Sequence, residues 1–251
     1  MLLSEIYENN IDPTGWYCSE KLDGIRAYWT GKFFITRNNT RLSPPDFFTK
    51  TLPAIPLDGE LWLGRKSFEE TSSIVRSSQD KGWNKISYVV FDLPTLKTPV
   101  EDRWNNLKKL VDQIGKPLQF AHQHVIKNKE ELYHLLDLIT SSNGEGLMLR
   151  KPKSLYEFKR SNTLLKLKKF FDEEATVVGY TPLYSGDRVV ENAFGALECL
   201  TSDGIAFKVG TGFSEAARRS PPPIGSTITY KFQEKSKTGK PRFPSFIRIK
   251  Q

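Results

Sequence analysis

The chain has 251 residues, 38% of them hydrophobic and 26% charged, with a formal net charge of +8. That is ordinary globular composition with room for one large or two small domains, which excludes disorder over most of the chain. No apolar run approaches the roughly 18 residues of a membrane helix, and the two cysteines, Cys18 and Cys199, exclude a disulfide framework and match no metal-binding spacing.

In chain order, the first informative segment is Glu20-Lys21-Leu22-Asp23-Gly24-Ile25-Arg26, which leads into strands expected over 25–30 and 33–36. Its pattern K-x-D-G-x-R fixes four positions, and chance supplies it in a chain of this length with a probability of roughly 0.3%. A charged strand end followed by an Asp-Gly turn accounts for the turn, but gives no reason for Lys and Arg to flank it. A third strand, over 59–63, carries Leu57-Asp58-Gly59-Glu60-Leu61-Trp62, and a helix is expected over 67–77. Tyr88-Val89-Val90-Phe91-Asp92-Leu93 reads as a core strand over 87–92. Helices follow over 101–114 and 128–140; in the first, Leu107, Leu110, Val111 and Ile114 recur at helical spacing. Between them His122 and His124, two apart, would share a strand face, and with His134 could form part of a metal site; a polar loop explains them more simply. Strands over 146–150 and 163–169 complete this half, the first introduced by Gly144-Glu145-Gly146.

After Phe171 the character changes. Short strand-like runs at 175–180, 195–200, 205–209, 226–232 and 246–250 are joined by Gly, Asp, Ser and Pro turns. Five short strands in a segment of this size predict a small OB-type barrel. The fold expected is therefore α+β: a first domain of antiparallel sheets and helices over 1–170, and a β-barrel domain over 171–251. Positive charge is segregated. Residues 150–169 hold eight basic side chains and one acid, Glu157, and residues 231–250 hold seven and one acid, Glu234. The remainder of the chain is net acidic, and this pattern points to a polyanionic partner such as nucleic acid.

A lysine in the K-x-D-G-x-R setting makes chemical sense as a nucleophile. Its amine must be neutral to attack, so cations or a metal ion should lie nearby. Thr163-Leu164-Leu165-Lys166-Leu167-Lys168 alternates as a strand does, putting Lys166 and Lys168 on one face and Leu165 and Leu167 on the other. Two ammonium groups on one pleat suit a triphosphate. Glu60 and Glu145 are candidate ligands of Mg²⁺ or Mn²⁺, and each follows a glycine, where backbone can approach a ligand closely. Phe91 offers an aromatic face on which a purine could stack.

These five segments, in this order, resemble the nucleotidyltransferase motifs of covalent ligases and mRNA capping enzymes, and nearly the whole chain is similar to the minimal ATP-dependent DNA ligases of bacteria and viruses. The resemblance implies an enzyme that uses ATP and Mg²⁺ or Mn²⁺, with Lys21 as the adenylated residue. It implies cofactor contacts from Glu20, Arg26, Glu60, Phe91, Glu145, Lys166 and Lys168, and a metal held by Glu60 and Glu145. It implies DNA contacts from Arg26, from Arg37 or Arg41 at the 5′-phosphate of a nick, and from Arg242 in Pro241-Arg242-Phe243-Pro244-Ser245-Phe246, which resembles the last ligase motif. The partner expected is nicked double-stranded DNA, bound by a monomer with no membrane. The capping enzymes' R-x-D-K form is missing from that last motif, but an RNA ligase, a capping guanylyltransferase or a non-catalytic OB-type nucleic-acid-binding protein are the alternatives. Met1-Leu2-Leu3-Ser4-Glu5-Ile6 lacks the basic and apolar regions of a leader, so the cytoplasm is the expected compartment, or the bacterial periplasm if a leader has been removed.

Overall fold

A computed structural model describes residues 1–77, 81–236 and 238–250. The chain divides into two compact units, Met1–Lys168 and Lys169–Gln251. Lys237, one of the cations of the second basic stretch, lies outside the described residues. No helix among those described is long and apolar enough to cross a membrane.

The first unit runs through β1 (Leu3–Ile6), β2 (Tyr17–Glu20), β3 (Ile25–Trp29), β4 (Phe34–Thr36), β5 (Arg41–Leu42), the single turn α1 (Asp46–Thr49), β6 (Leu57–Trp62) and α2 (Phe68–Arg76). It continues with β7 (Ser87–Asp92), α3 (Val100–Ile114), β8 (Leu118–Phe120), β9 (His124–Val125), α4 (Lys129–Ser141), β10 (Gly146–Arg150) and β11 (Arg160–Lys168). One sheet has the order β5-β4-β3-β6-β7-β8 and the other β1-β11-β10-β2-β9. Pairing is antiparallel except for β7 with β8 and β1 with β11. The first exception has a plain cause: α3 carries the chain from β7 back to the same edge, and such a crossover makes the next strand parallel. In the second, the two strands lie at opposite ends of the unit's sequence.

Each sheet has its own core. Val100, Trp104, Leu107 and Val111 of α3 are buried at helical spacing against the first sheet, among Leu57, Leu61, Tyr88 and Val90. Pro99 precedes the first turn of α3, Glu101 and Asp102 sit where the helix dipole favours acids, and Gly115 ends it with a positive φ of 67°. Leu132 and Leu136 of α4 pack on the second sheet with Leu147, Leu149, Leu165 and Leu167. Asn128 caps α4 by accepting from the Glu131 N–H at 2.8 Å.

The second unit contains β12 (Phe171–Ser185), β13 (Arg188–Leu200), β14 (Ala206–Val209), α5 (Glu215–Arg219), β15 (Thr227–Phe232), the short hairpin β16 (Glu234–Lys235) and β17 (Pro241–Arg242), and β18 (Ser245–Ile249). Five strands form one sheet ordered β14-β13-β12-β15-β18. An isolated parallel bridge between Thr211 and Ser245 joins its two edges, and the Phe246 N–H donates to the Thr211 carbonyl at 2.9 Å. The edges thus meet through one bridge, not a continuous ladder. Val177, Leu197, Val209, Ile228 and Tyr230, each fully buried, fill the interior. The registers of β12 and β13 slip around Pro182, which has no N–H to give a ladder.

Candidate active site

A pocket in the first unit gathers Lys21 and Leu22 after β2, Arg26 of β3, Arg37 after β4, Asp58 and Glu60 of β6, Phe91 and Asp92 of β7, Met148 and Arg150 of β10, and Arg160, Lys166 and Lys168 of β11. Its water-accessible volume is about 350 Å³. Lys21 stands just past the end of β2, its N–H fixed to the Gly146 carbonyl at 2.8 Å. Lys21 Nζ donates to Glu145 Oε2 at 2.6 Å, and Lys168 Nζ donates to the other oxygen of the same carboxylate. One acid therefore links the lysine of the K-x-D-G-x-R segment to a lysine 147 positions further on.

The alternation along β11 builds the cationic side. Leu165 and Leu167 are buried in the core under the second sheet, while Lys166 and Lys168 line the pocket. Burial, then the charges of Lys168 and Lys21, with Arg160 and Arg37 beyond them, pulls the Lys166 ammonium below its ordinary value. This is the electrostatic setting of an anion site.

Asp58 and Glu60 lie two apart on β6 and both reach the pocket. Arg26 is opposite Glu60 in register, but its guanidinium takes Asp58 bidentately, at 3.1 Å and 2.7 Å. Tyr156 also donates to Asp58, at 2.5 Å. Burial would lower the Arg26 pKa, and Asp58 more than reverses that. Glu60 is half-buried, and burial pushes its carboxyl up to about 8; Lys21 and Arg26 oppose this, Glu145 and Asp58 reinforce it. Phe91 is half-buried, with the Arg26 guanidinium 5.3 Å from its ring centroid and its carbonyl accepting from Trp104 Nε1 at 2.8 Å.

The remaining expected residues have the following surroundings. Gly59 and Gly144 are crowded by the protein itself: a Cβ on Gly59 would stand 2.6 Å from the Tyr88 ring, and one on Gly144 would stand 2.4 Å from Ile139. They are glycine because their neighbours in the protein leave no room. Glu20 lines the pocket, yet both its oxygens are taken by Arg65, at 2.8 Å each, and Arg65 also donates to the Ser142 carbonyl at 3.1 Å. Arg41 does not line the pocket; it is exposed, with its guanidinium 4.6 Å from the Phe33 ring centroid. Arg37 does line it. Arg242 belongs to the second unit, where β17 pairs it with Glu234 at 2.7 Å. His124 is exposed and bonded to Glu131 at 3.0 Å, and no group of three or more His, Cys, Asp or Glu suited to a metal stands together among the described residues.

Sequence reasoning passed over Asp58, Tyr156, Arg65 and the Asp92–Arg103 pair, in which Arg103 donates to both oxygens of Asp92 at 2.5 Å and 3.0 Å. Asp58 carried a signal, since it shares a strand face with Glu60. Tyr156 did not, because its partner is 98 positions away.

The fold and the pocket define a nucleotidyltransferase with an OB-like second domain. Residues 3–168 match the family model of the ATP dependent DNA ligase domain, and residues 185–250 match that of the DNA ligase OB-like domain. The chain is 42% identical to a DNA ligase of Haemophilus influenzae, over 97% of its own length and 90% of the relative's. A structure from a structure–function analysis of Lig E DNA ligases superposes with a TM-score of 0.93 at 38% identity, covering 100% of this chain and 98% of that one. The Chlorella virus DNA ligase–adenylate superposes with a TM-score of 0.59 at 29% identity, covering 100% and 97%. The chain belongs to the ATP-dependent DNA ligases, enzymes whose general activity is the sealing of nicks.

Proposed function

We propose that Lys21 is the residue through which this ligase passes AMP to a nick in duplex DNA, acting as a single chain. The observation that carries the assignment is the Glu145 carboxylate shared between Lys21 and Lys168, two lysines that line one pocket with Lys166 and Phe91. Lys21 Nζ attacks the α-phosphate of ATP, a P–N bond forms, and pyrophosphate leaves. The 5′-phosphate of the nick then takes AMP from the lysine, and the 3′-hydroxyl displaces AMP to close the strand. Each step is phosphoryl transfer, in which positioning and charge neutralisation dominate.

The roles follow from the surroundings. Before attack Nζ must lose a proton, and Glu145 Oε2, at 2.6 Å, is the acceptor in place. Lys166 and Lys168 neutralise phosphate charge, and Phe91 stacks on adenine. Glu60 meets the ribose; its raised pKa lets it donate a hydrogen bond in the metal-free protein, and a bound cation would return it to the carboxylate. Arg37 and Arg26 are the pocket's guanidinium groups for the nick phosphate. Glu60, which lines the pocket, and Glu145, which bonds Lys21 and Lys168 beside it, are fewer ligands than a complete protein shell for a cation. Mg²⁺ commonly takes one or two carboxylates and completes its shell with phosphate oxygens and water, so the pair fits. Glu60 and Glu145 would hold Mg²⁺ or Mn²⁺, which when bound supplies further positive charge to the phosphates.

The test is incubation with α-labelled ATP, mapping of the adduct, and a chase with nicked duplex. Lys21→Ala should abolish labelling and sealing of ordinary nicks, yet retain sealing of a nick that already carries a 5′-adenylate. Normal labelling of that variant would refute the assignment.

A further inference from the structure

One wall of the pocket has so far been given no part. Residues 121–123 run from the first sheet of the unit to the second. The Ala121 N–H donates to the Val90 carbonyl at 2.9 Å, which ties the segment to β7 beside Phe91. Three residues on, His124 pairs with Cys18 and Val125 with Tyr17 on β2. Carrying that register one step back sets Gln123 against Ser19, two residues before Lys21, and Ser19 is paired on its other side with Met148. Ala121, Gln123, Ser19, Met148, Phe91 and Trp104 all line the pocket. They are uncharged, whereas Lys21, Lys166, Lys168, Arg37 and Arg160 form its cationic part.

Gln123 is half-buried, and its amide orientation is fixed by chemistry: Nε2 donates to the Ala121 carbonyl at 2.8 Å. One N–H of Nε2 is thereby committed to the chain, and Oε1, an acceptor, remains with the second N–H to meet a ligand. A purine stacked on Phe91 would lie in the pocket that Ser19 and Gln123 also line. Adenine presents there an amino group, a donor; guanine presents a carbonyl oxygen, an acceptor. We infer that Gln123 reads the six-position of the purine, its Oε1 accepting from the amino group of adenine and opposing the carbonyl of guanine. It is a specificity-determining residue for the nucleotide, and the inference rests on the nucleotide pocket proposed above. A site built to bond one polar group discriminates well because the wrong ligand leaves a half-buried polar atom unpaired.

The experiment compares formation of the lysine–nucleotide adduct on three nucleotides: ATP, GTP, and purine riboside triphosphate, which is ATP without the 6-amino group. Wild-type protein, stripped of bound AMP, should show a KM about tenfold higher for the purine analogue than for ATP, the size expected for one hydrogen bond to a partly buried group. Gln123→Met should bring the two within about twofold by weakening ATP, and should narrow the gap to GTP. Gln123→Glu loses the donor to Ala121 but keeps an acceptor, so it should retain the preference for ATP over the analogue. If Gln123→Met weakens ATP and the analogue by the same factor, Gln123 merely holds its loop and the inference is overturned. A wild type that does not distinguish ATP from the analogue overturns it as well. Failure of the underlying reading looks different: Lys21→Ala would still be labelled, or wild type would form no adduct with ATP.

Discussion

Half-buried in the pocket between Asp58, Arg26 and Lys21, the Glu60 carboxyl titrates at about 8 instead of the ordinary 4.5. A carboxyl with a raised pKa keeps a proton that the unfolded chain has already released. Its contribution to stability is complete below about 4.5 and is lost progressively as pH rises to about 8. The loss cannot exceed about 1.4 kcal/mol per pH unit for one group. Glu60→Gln cannot release a proton, so thermal unfolding measured from pH 5 to 8.5 should show a smaller fall in Tm with pH for the variant than for wild type. Parallel curves would mean that Glu60 is not perturbed in the folded chain. At this scale, what was legible in the sequence were residues whose type and spacing already imply a role. Lys21, Glu60, Phe91, Lys166 and Lys168 were chosen on that basis, and all five line one pocket, as does Arg37, which only the family resemblance pointed to. Residues defined by a distant partner were not legible: nothing near Tyr156 announces Asp58, and nothing near Arg65 announces Glu20, 45 positions away.

The strand β11 presents the pocket with one face and the core with the other, and the two faces are separable by experiment. Lys166→Ala removes a pocket side chain and should change stability by no more than about 0.5 kcal/mol. It should slow adenylation at least about tenfold, equivalent to about 1.4 kcal/mol of barrier. Leu165→Ala opens a cavity in the core, where the side chain is 1% exposed. It should cost about 2–5 kcal/mol of stability, with adenylation by the remaining folded protein much less affected. Denaturant titration alongside single-turnover labelling distinguishes the two. A lysine variant that unfolds easily but labels normally would reverse the assignment of the faces. The alternation of Leu and Lys made this strand readable, as helical spacing did for α3. β1 and β9 escaped because they are four and two residues long and owe their existence to partners. β1 pairs with β11 across most of the unit's sequence, Leu3 lying against Arg160. Such pairing is set by the fold, and no local pattern of four residues encodes it.

Across the whole molecule, charge and partner chemistry come together. The two basic stretches fall one on each unit, apart from Lys169, which stands at the boundary. In the second unit several of these cations are already matched: Lys235 with Glu173 at 2.7 Å, Arg242 with Glu234 at 2.7 Å and Lys250 with Glu174 at 2.7 Å. These pairs are exposed, and exposed pairs contribute at most about 1 kcal/mol each. DNA phosphates can therefore replace the carboxylates at small cost, but a cation exchanging one anion for another yields less than its full charge. The number of effective phosphate contacts should fall well below the fifteen basic residues of the two stretches. Half a dozen contacts, at a slope of about −0.9 each, would weaken nick binding roughly a thousandfold between 50 and 200 mM salt. Flanking sequence should matter little, because phosphate contacts carry no direct base information. A protein ending at Lys168 keeps the pocket and two cores but loses the second basic stretch, so its binding should be far weaker and its salt slope shallower. Nick binding measured across a salt series, with the full chain and with residues 1–168, checks both statements. Equal slopes for the two proteins would mean that the second unit's cations make no phosphate contacts.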